Sequence, residues 1–379
     1  MTTTAALTTT TALTTTAPAV ASAPVQAPAP ASEDRACHPP APETRGTLVP
    51  DDPGAHRVLT GDRPTGRLHL GHYFGTLQNR VRLQDAGVET YLVVADYQVL
   101  TDRDVADHLA EYVEELVLDY LAAGIDPERT TVFAHSAVPA LNQLLLPFLS
   151  LVSVAELQRN PTVKDEIAHS RQAAVSGLMF TYPAHQAADI LFCKADMVPV
   201  GQDQLPHLEV TRTIARRFND RYGAVFPEPE ALLSAAPLLL GTDATKMSKS
   251  RGNAVSLAST ADETARLIRR ATTDADRTIT YDPVRRPGVS SLVLLAALCL
   301  DRAPAEVAAE IGGGGAARLK QVVTDAVNDH FAPMRARRAE LACDRAYVRE
   351  VLHTGNARAN VVADATLREV REAMGMRYA

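Results

Sequence analysis

The sequence predicts an α/β protein: a doubly wound parallel sheet followed by an α-helical C-terminal part. Three observations carry that prediction. Short β-branched runs alternate with stretches of helical period from Arg57 to Tyr222. Gly61, Asp96 and Gly201 each fall just after such a run, where open parallel sheets hold their ligands. Beyond Asp262 the strand pattern stops and only helical period remains. With 379 residues and 46% hydrophobic composition, the chain has enough apolar surface for a substantial core and two folded parts.

The elements follow in order. Ten of the first sixteen residues are Thr, and an Ala/Pro/Val/Ser tract continues to Ser32. Such a segment buries too little apolar area to offset its ordering entropy, so residues 1–56 are expected to be a disordered tail. Its first basic residue is Arg35, which leaves no charged start for a secretory signal. Arg57 to Thr60 reads as the first strand, and a helix is expected from Leu70 to about Gln84. Thr90 to Ala95 is a second strand ending at Asp96. Asp102 can cap a helix whose apolar positions, Leu109, Val113, Leu116, Val117, Tyr120 and Leu121, recur at three- and four-residue steps; Gly124 ends it. Thr131 to Ala134 is a third strand, and two helices follow from Pro139 to Gln158. A polar segment, Arg159 to Gln172, interrupts the pattern before a helix from Ser176 to Lys194. Met197 to Val200 is a short strand, and Leu205 to Tyr222 a helix. Helical patterns then cover Asp262 to Arg270 and Ser290 to Leu300, Gly312 to Gly315 forms a turn, and three more run on to Met376.

The balance of charge excludes some classes of partner. The formal charge is −7, so no overall basic field advertises nucleic acid, and any RNA contact must come from local patches. Cys37, Cys193, Cys299 and Cys343 are far apart, which speaks against a zinc ribbon, an iron–sulfur cluster or a disulfide framework and suits a reducing cytoplasm. Cys193 and Cys299 read as small core residues. No apolar run reaches the length of a membrane span, and no residue is assigned as a metal ligand.

Two motifs carry chemistry. The first is Thr60-Gly61-Asp62-Arg63-Pro64-Thr65-Gly66-Arg67-Leu68-His69-Leu70-Gly71-His72. A strand, a glycine- and proline-bearing turn and a helix start present orphan N–H groups and a positive dipole end to an anion. Gly71 leaves room for a flat base against the backbone, while His69 and His72, three apart, share one side of the first turn and can donate to a phosphoryl oxygen. Alone, the pair also reads as two surface histidines at a helix start. The second is Lys246-Met247-Ser248-Lys249-Ser250, two lysines beside small hydroxyl residues and Gly252, a cationic loop able to fold over a triphosphate or simply a solvated turn.

In this order and at this separation the two motifs resemble the paired signatures of class I aminoacyl-tRNA synthetases. The block Phe180-Thr181-Tyr182-Pro183-Ala184-His185-Gln186-Ala187-Ala188-Asp189-Ile190-Leu191, followed by Val198-Pro199-Val200-Gly201-Gln202-Asp203-Gln204, narrows the resemblance to tryptophanyl-tRNA synthetases, over nearly all of Arg57 to Ala379. The resemblance implies a Rossmann-type catalytic domain at 57–240 with a helical insertion at about 136–175. A KMSKS loop at 241–260 and a helical tRNA anticodon-binding domain at 261–379 complete it.

The family's roles, carried to matching positions, are as follows. His69, His72, Lys246 and Lys249 stabilise charge on the phosphates of ATP with a bound Mg²⁺. Arg63, Thr65, Gly71, Gly201, Asp203, Met247 and Ser248 bind ATP, and Lys164 either reaches the pyrophosphate from the insertion or is a solvated lysine. Asp189 accepts the indole N–H, which offers only a donor. Tyr182 and Gln204 hold the α-ammonium, and Val198 and Val200 line the aromatic slot. Three positions depart from what is common in the family: Gln98 for a histidine, Gln186 for a methionine and Arg63 for a glutamine. Polar groups of that kind alter preference among tryptophan analogues, which matches a divergent auxiliary type resistant to a tryptophan-like inhibitor. Arg335, Arg337, Arg338, Arg345 and Arg349 make the C-terminal part locally basic, either as a solvated helical face or as a reader of the anticodon. The family also implies a homodimer spanned by tRNA(Trp), with no DNA and no membrane.

Other readings have identifiable signatures. A nucleotidylyltransferase of the His-x-Gly-His type lacks the lysine loop and the helical tail. A tyrosine-specific synthetase needs a partner for a phenol oxygen, and a retired copy that only binds tRNA has no reason to keep His69, His72, Lys246 and Lys249.

Overall fold

The computed structural model describes residues 49–101, 106–169, 175–201, 204–233, 239–249 and 251–378. The tail to residue 48, Asp102 and Asp203 therefore lie outside the described residues. Residues from Pro42 onward cluster as one compact unit.

Five parallel strands form one sheet: β1 (Arg57–Asp62), β2 (Glu89–Val94), β3 (Thr130–Ala134), β4 (Met197–Val200) and β5 (Glu230–Leu233), in the order β3-β2-β1-β4-β5. The chain steps outward one way from β1 and then the other way from β4, so the crevice between β1 and β4 is the switch point where doubly wound sheets bind ligands. Both faces are buried, which is why the strands read as continuous apolar runs. Leu92, Val94, Val132 and Ala134 enter one cluster, whereas Tyr91, Val93 and Phe133, one residue out of step, enter the other.

The helices supply the two layers: α1 (Leu70–His72), α2 (Gln78–Asp85), α3 (Leu109–Ala123), α4 (Pro139–Leu149), α5 (Val154–Arg159), α6 (Pro161–His169), α7 (Gly177–Leu191) and α8 (Leu205–Tyr222). The C-terminal part adds α9 (Ala261–Arg270), α10 (Pro287–Leu300), α11 (Pro304–Ile311), α12 (Gly315–Ala342) and α13 (Arg345–Ala373). Helix α3 ends where Gly124 takes a left-handed φ of 113°, sparing the strain a Cβ would bring.

Three expectations are corrected, and one strand was not foreseen. The helix from Leu70 is interrupted by a π turn over Tyr73–Leu77, a local widening that composition does not reveal. The polar segment Arg159 to Gln172 is helical over Pro161–His169; Asn160 takes the N–H groups of Thr162 and Val163 on its side-chain oxygen, so a cap rather than an apolar stripe starts it. Strand β5 has only four residues, too few for a period, and pairing with β4 defines it. After the glycine turn there are two long helices rather than three, because Pro333 and Gly355 sit inside α12 and α13 without ending them.

Helix α13 explains why the C-terminal helices share the core. A Cβ on Gly355 would stand 1.8 Å from the Val132 carbonyl oxygen, so only glycine lets the helix reach β3. One residue on, Asn356 Oδ1 accepts the Ala134 N–H at 2.9 Å, and Asn360 donates to the Ala137 carbonyl at 2.8 Å. These contacts cover an edge strand that would otherwise offer unpaired backbone groups. The C-terminal arginines are also spoken for. Arg338 bonds Asp119 and Glu115, Arg345 bonds Glu115, Arg349 bonds Glu114, and Arg337 bonds the Ala122 carbonyl, all on α3. Arg335 bonds Thr264 and Asn328. The expected basic face is instead a clasp between α12–α13 and their neighbours.

Candidate functional site

A cavity of about 340 Å³ opens at the β1–β4 crevice, within the range of small-ligand sites. Gly61 of β1 can bring its backbone against β2 because it lacks a Cβ, which would lie 2.1 Å from the Val93 carbonyl oxygen. Of the residues singled out in the sequence, Arg63, Thr65, His72, Gln98, Gln186, Asp189, Val198, Val200 and Gln204 line this cavity. Gln98 follows the end of β2, Gln186 and Asp189 lie on α7 at helical spacing, and Gln204 caps α8.

The histidine turn is built with an inner and an outer ring. His69 is 8% exposed and packs under its neighbour, with ring centroids 3.7 Å apart. The His69 backbone N–H donates to His72 Nδ1 at 3.2 Å. Nδ1 of His72 is thus an acceptor, and the neutral ring carries its proton on Nε2 as a donor. Burial pushes His69 down to about 3, helped by the charges of His72 and Lys249. Burial also lowers His72, to about 4, against the pull of Asp62. Both rings are neutral near pH 7. Of the two, His72 lines the cavity, and His69 lies buried against its ring. Gly71 serves that stack, since a Cβ there would come within 3.0 Å of the His69 ring and 3.6 Å of Met247 Sδ.

Beneath the turn lies a buried ion pair that sequence reasoning missed. Arg80 of α2 bonds the Asp62 carboxylate and, at 3.1 Å, the Gly61 carbonyl, while the Tyr120 hydroxyl donates to Asp62 at 2.7 Å. Burial would raise the Asp62 carboxyl, but Arg80 holds it near 2. Nothing local in the sequence couples positions 62, 80 and 120.

The two motifs are clamped together. The Leu70 N–H donates to the Val255 carbonyl at 3.0 Å and the Leu257 N–H to the Leu68 carbonyl at 2.9 Å. Lys249 donates from Nζ to the Gly66 carbonyl at 2.7 Å, so it rests on the first turn. Burial lowers its ammonium to about 8 despite Asp62 and Asp119. Asn253, another residue missed, accepts the Ser248 N–H and donates to Asp243 and the Lys246 carbonyl, shaping the loop. Lys246 is exposed, and Met247 is buried.

Three positions fall elsewhere. Tyr182 is buried with its hydroxyl 2.8 Å from His207 Nε2, and the cavity lining does not include it. His207, three residues after Gln204 on α8, was findable from that spacing. Lys164 is exposed on α6, away from the cavity lining, and Gly201 is exposed at the end of β4. Asp189 lines the cavity, where its Oδ1 is 2.6 Å from His135 Nε2 and His185 packs alongside. Burial lowers the His185 imidazolium, opposed by Asp189. Both histidines escaped notice, although His185 sits four residues before Asp189 and His135 follows the end of β3.

Residues 53–332 match the family described as tRNA synthetases class I (W and Y). A tryptophan–tRNA ligase of Treponema pallidum is 43% identical over 329 residues, covering 84% of this chain and 97% of the relative. One from Clostridium longisporum is 40% identical over 331 residues, covering 85% and 97%. Among solved structures, the tryptophanyl-tRNA synthetase of Campylobacter jejuni, complexed with ADP and tryptophan, aligns with a TM-score of 0.74 at 29% identity, covering 84% of this chain and 99% of that one. Identity of this size, sustained over nearly the full length of the relatives, is what common descent leaves behind, and the chain belongs to the class I tRNA synthetases of the tryptophan and tyrosine type.

Proposed function

We propose that this chain is a tryptophan–tRNA ligase, which activates L-tryptophan with ATP and transfers it to the 3′ end of tRNA(Trp). The observation that carries the reading is one cavity with a buried carboxylate, Asp189, among apolar β4 residues at one end and the His72 turn at the other. An indole offers only a ring donor, and Asp189 is an acceptor for it, whereas a phenol both donates and accepts. The tryptophan–tRNA ligase relatives at 40–43% identity agree.

In the first step the tryptophan carboxylate attacks the α-phosphorus of ATP, a P–O bond forms, and pyrophosphate leaves with the broken P–O pair. His72 Nε2–H and the lysine loop supply donors and positive charge where the phosphate oxygens gain charge, so catalysis is positioning and electrostatics. Gln204 faces the α-ammonium and Val198 and Val200 the ring. Thr65, Arg63, Gly71 and Gly201 take the nucleotide, joined by Asp203 and the Met247–Ser248 backbone. In the second step a ribose hydroxyl of the tRNA end attacks the activated carbonyl and AMP leaves; no protein nucleophile is needed.

Mg²⁺ fits as an ion carried by the triphosphate. Asp62, the carboxylate lining that end among the described residues, is committed to Arg80 and Tyr120. The ion neutralises phosphate charge when bound. A homodimer that holds tRNA across both subunits, with the C-terminal helices near the anticodon, and a cytoplasmic location complete the proposal. No helix among the described residues is long and apolar enough to cross a membrane.

Gln98 and Gln186 both line the cavity, which supports resistance to an indole-based inhibitor as a reason for this copy. Amino-acid-dependent ATP–pyrophosphate exchange tests the whole reading. Exchange with tryptophan and not tyrosine is expected, and none with tryptophan would overturn it. Inhibition by an indole analogue equal to that of an enzyme with histidine at position 98 would remove the resistance idea alone.

A further inference from the structure

Eight buried side-chain nitrogens and oxygens make no well-aligned hydrogen bond among the described residues, and five of them belong to His135, His185 and Asp189; two of these five, His135 Nε2 and Asp189 Oδ1, face each other at 2.6 Å. Buried polar atoms are almost always satisfied, so a concentration of this kind marks a place prepared for something. His135 is 0% exposed, His185 3% and Asp189 2%, and their ligating atoms lie within 4.8 Å of one another. The three come from separate elements. His135 follows β3, where Asp96 pins the next residue by accepting the Ser136 N–H at 3.0 Å. His185 and Asp189 are one helical turn apart on α7. Tyr97 stacks on His135 with centroids 6.4 Å apart, closing the group on another side.

A metal ion is one way to satisfy such a set, but the spacing disfavours it. Two donors on a tetrahedral zinc with bonds of ~2.0–2.1 Å stand roughly 3.3 Å apart. His135 Nε2 and Asp189 Oδ1 are 2.6 Å apart, the distance of a charge-assisted contact. Only Asp189 of the three lines the cavity; the histidines stand behind it.

We propose that His135 and His185 are positioning residues that hold the Asp189 carboxylate turned toward the cavity, and so set the enzyme's preference for a substrate bearing a ring N–H. The proposal deepens the tryptophan reading and rests on it. His135 Nε2 lies 2.6 Å from one oxygen of Asp189, which leaves the other oxygen for the amino acid. A carboxylate in an apolar pocket without such support would rotate away toward other polar partners. His185 packs beside both, its ring 4.7 Å from that of His135 and a ring nitrogen within 4.8 Å of the other two groups.

The test is ATP–pyrophosphate exchange with tryptophan and with 1-methyl-tryptophan, which has the same ring without the donor. The wild-type chain is expected to prefer tryptophan by about 10⁴-fold in kcat/KM, the range for leaving a buried polar group unpaired. In His135→Ala the KM for tryptophan rises roughly 10- to 100-fold while kcat stays within about threefold, as for lost binding of a ground-state donor. The figures for 1-methyl-tryptophan do not move, so discrimination falls by the same factor. His135→Gln, whose amide can still donate, recovers most of the tryptophan KM. Should the alanine variant not fold, His135→Leu keeps the packing and carries the same expectation. An unchanged KM, an equal loss of kcat for both amino acids, or one zinc per chain that His135→Ala removes would each overturn the proposal. No exchange with tryptophan by the wild-type chain would overturn the ligase reading and this proposal together, whereas the other results leave the ligase reading standing.

Discussion

Replacing Arg338 by methionine should destabilise the chain far more than removal of an ordinary surface arginine. Arg338 donates to Asp119 at 2.7 Å and to Glu115 at 2.5 Å, and those carboxylates have side-chain exposures of 0% and 6%. Asp119 also accepts the Leu68 N–H at 2.9 Å, one residue before the His69 turn. Breaking a buried pair leaves an uncompensated charge, at a cost of about 3–5 kcal/mol, whereas an exposed pair such as Arg302–Glu310 contributes about 0–1 kcal/mol. For a chain of this size the loss corresponds to a fall in melting temperature on the order of 10 °C.

The deficit should depend on pH. Without Arg338 the folded-state pKa of Asp119, already raised by burial, rises further above its unfolded value. The penalty is then absent below the unfolded pKa and grows as pH rises through the folded one. Thermal melts of the wild-type chain, Arg338→Met, Arg302→Met and Arg338→Met/Asp119→Asn, taken from pH 4 to pH 8, check this. Asparagine keeps an acceptor for Leu68 without the charge, so the double variant should regain much of the loss. A drop for Arg338→Met no larger than for Arg302→Met, or one that does not vary with pH, would refute the buried-clasp argument.

Two further predictions concern the loop and the helix that covers the sheet edge. Lys249 has its ammonium lowered to about 8 by burial, so kcat/KM for ATP should fall as pH rises through about 8; in Lys249→Arg that alkaline limb should move beyond the measurable range. A profile flat to pH 9.5 in the wild-type chain, roughly a unit and a half past that value, would mean the charge is not used. Gly355→Ala places a methyl 1.8 Å from the Val132 carbonyl oxygen, and α13 must lift from β3, at a cost of several kcal/mol. Thermal melting should drop on the order of 10 °C, while Gly313→Ala, with nothing within 4 Å, should leave it unchanged. Equal effects would show that close helix–strand approach is unimportant.

The sequence by itself determined the sheet class, the order of the elements from β1 to α5 up to small boundary shifts, and the motifs that meet at the cavity. These are local: alternation, helical period, a cap or a glycine act over a few residues, and the two signatures are contiguous. It was silent where a structure is made by pairing distant positions. Four residues of β5 become a strand only because β4 lies beside them. Asp62, Arg80 and Tyr120 form one bonded group across 58 positions, and four of the five arginines that read as a basic face bond carboxylates or a carbonyl of α3. His69 and His72 looked equivalent at a spacing of three, yet the turn buries one beneath the other. His135 reaches Asp189 only through the folding of β3 against α7, a contact set by the shape of the core rather than by either residue's neighbours. Chemistry was legible where a motif carries it; tertiary packing alone decided which side chains face the ligand and which ones hold those in place.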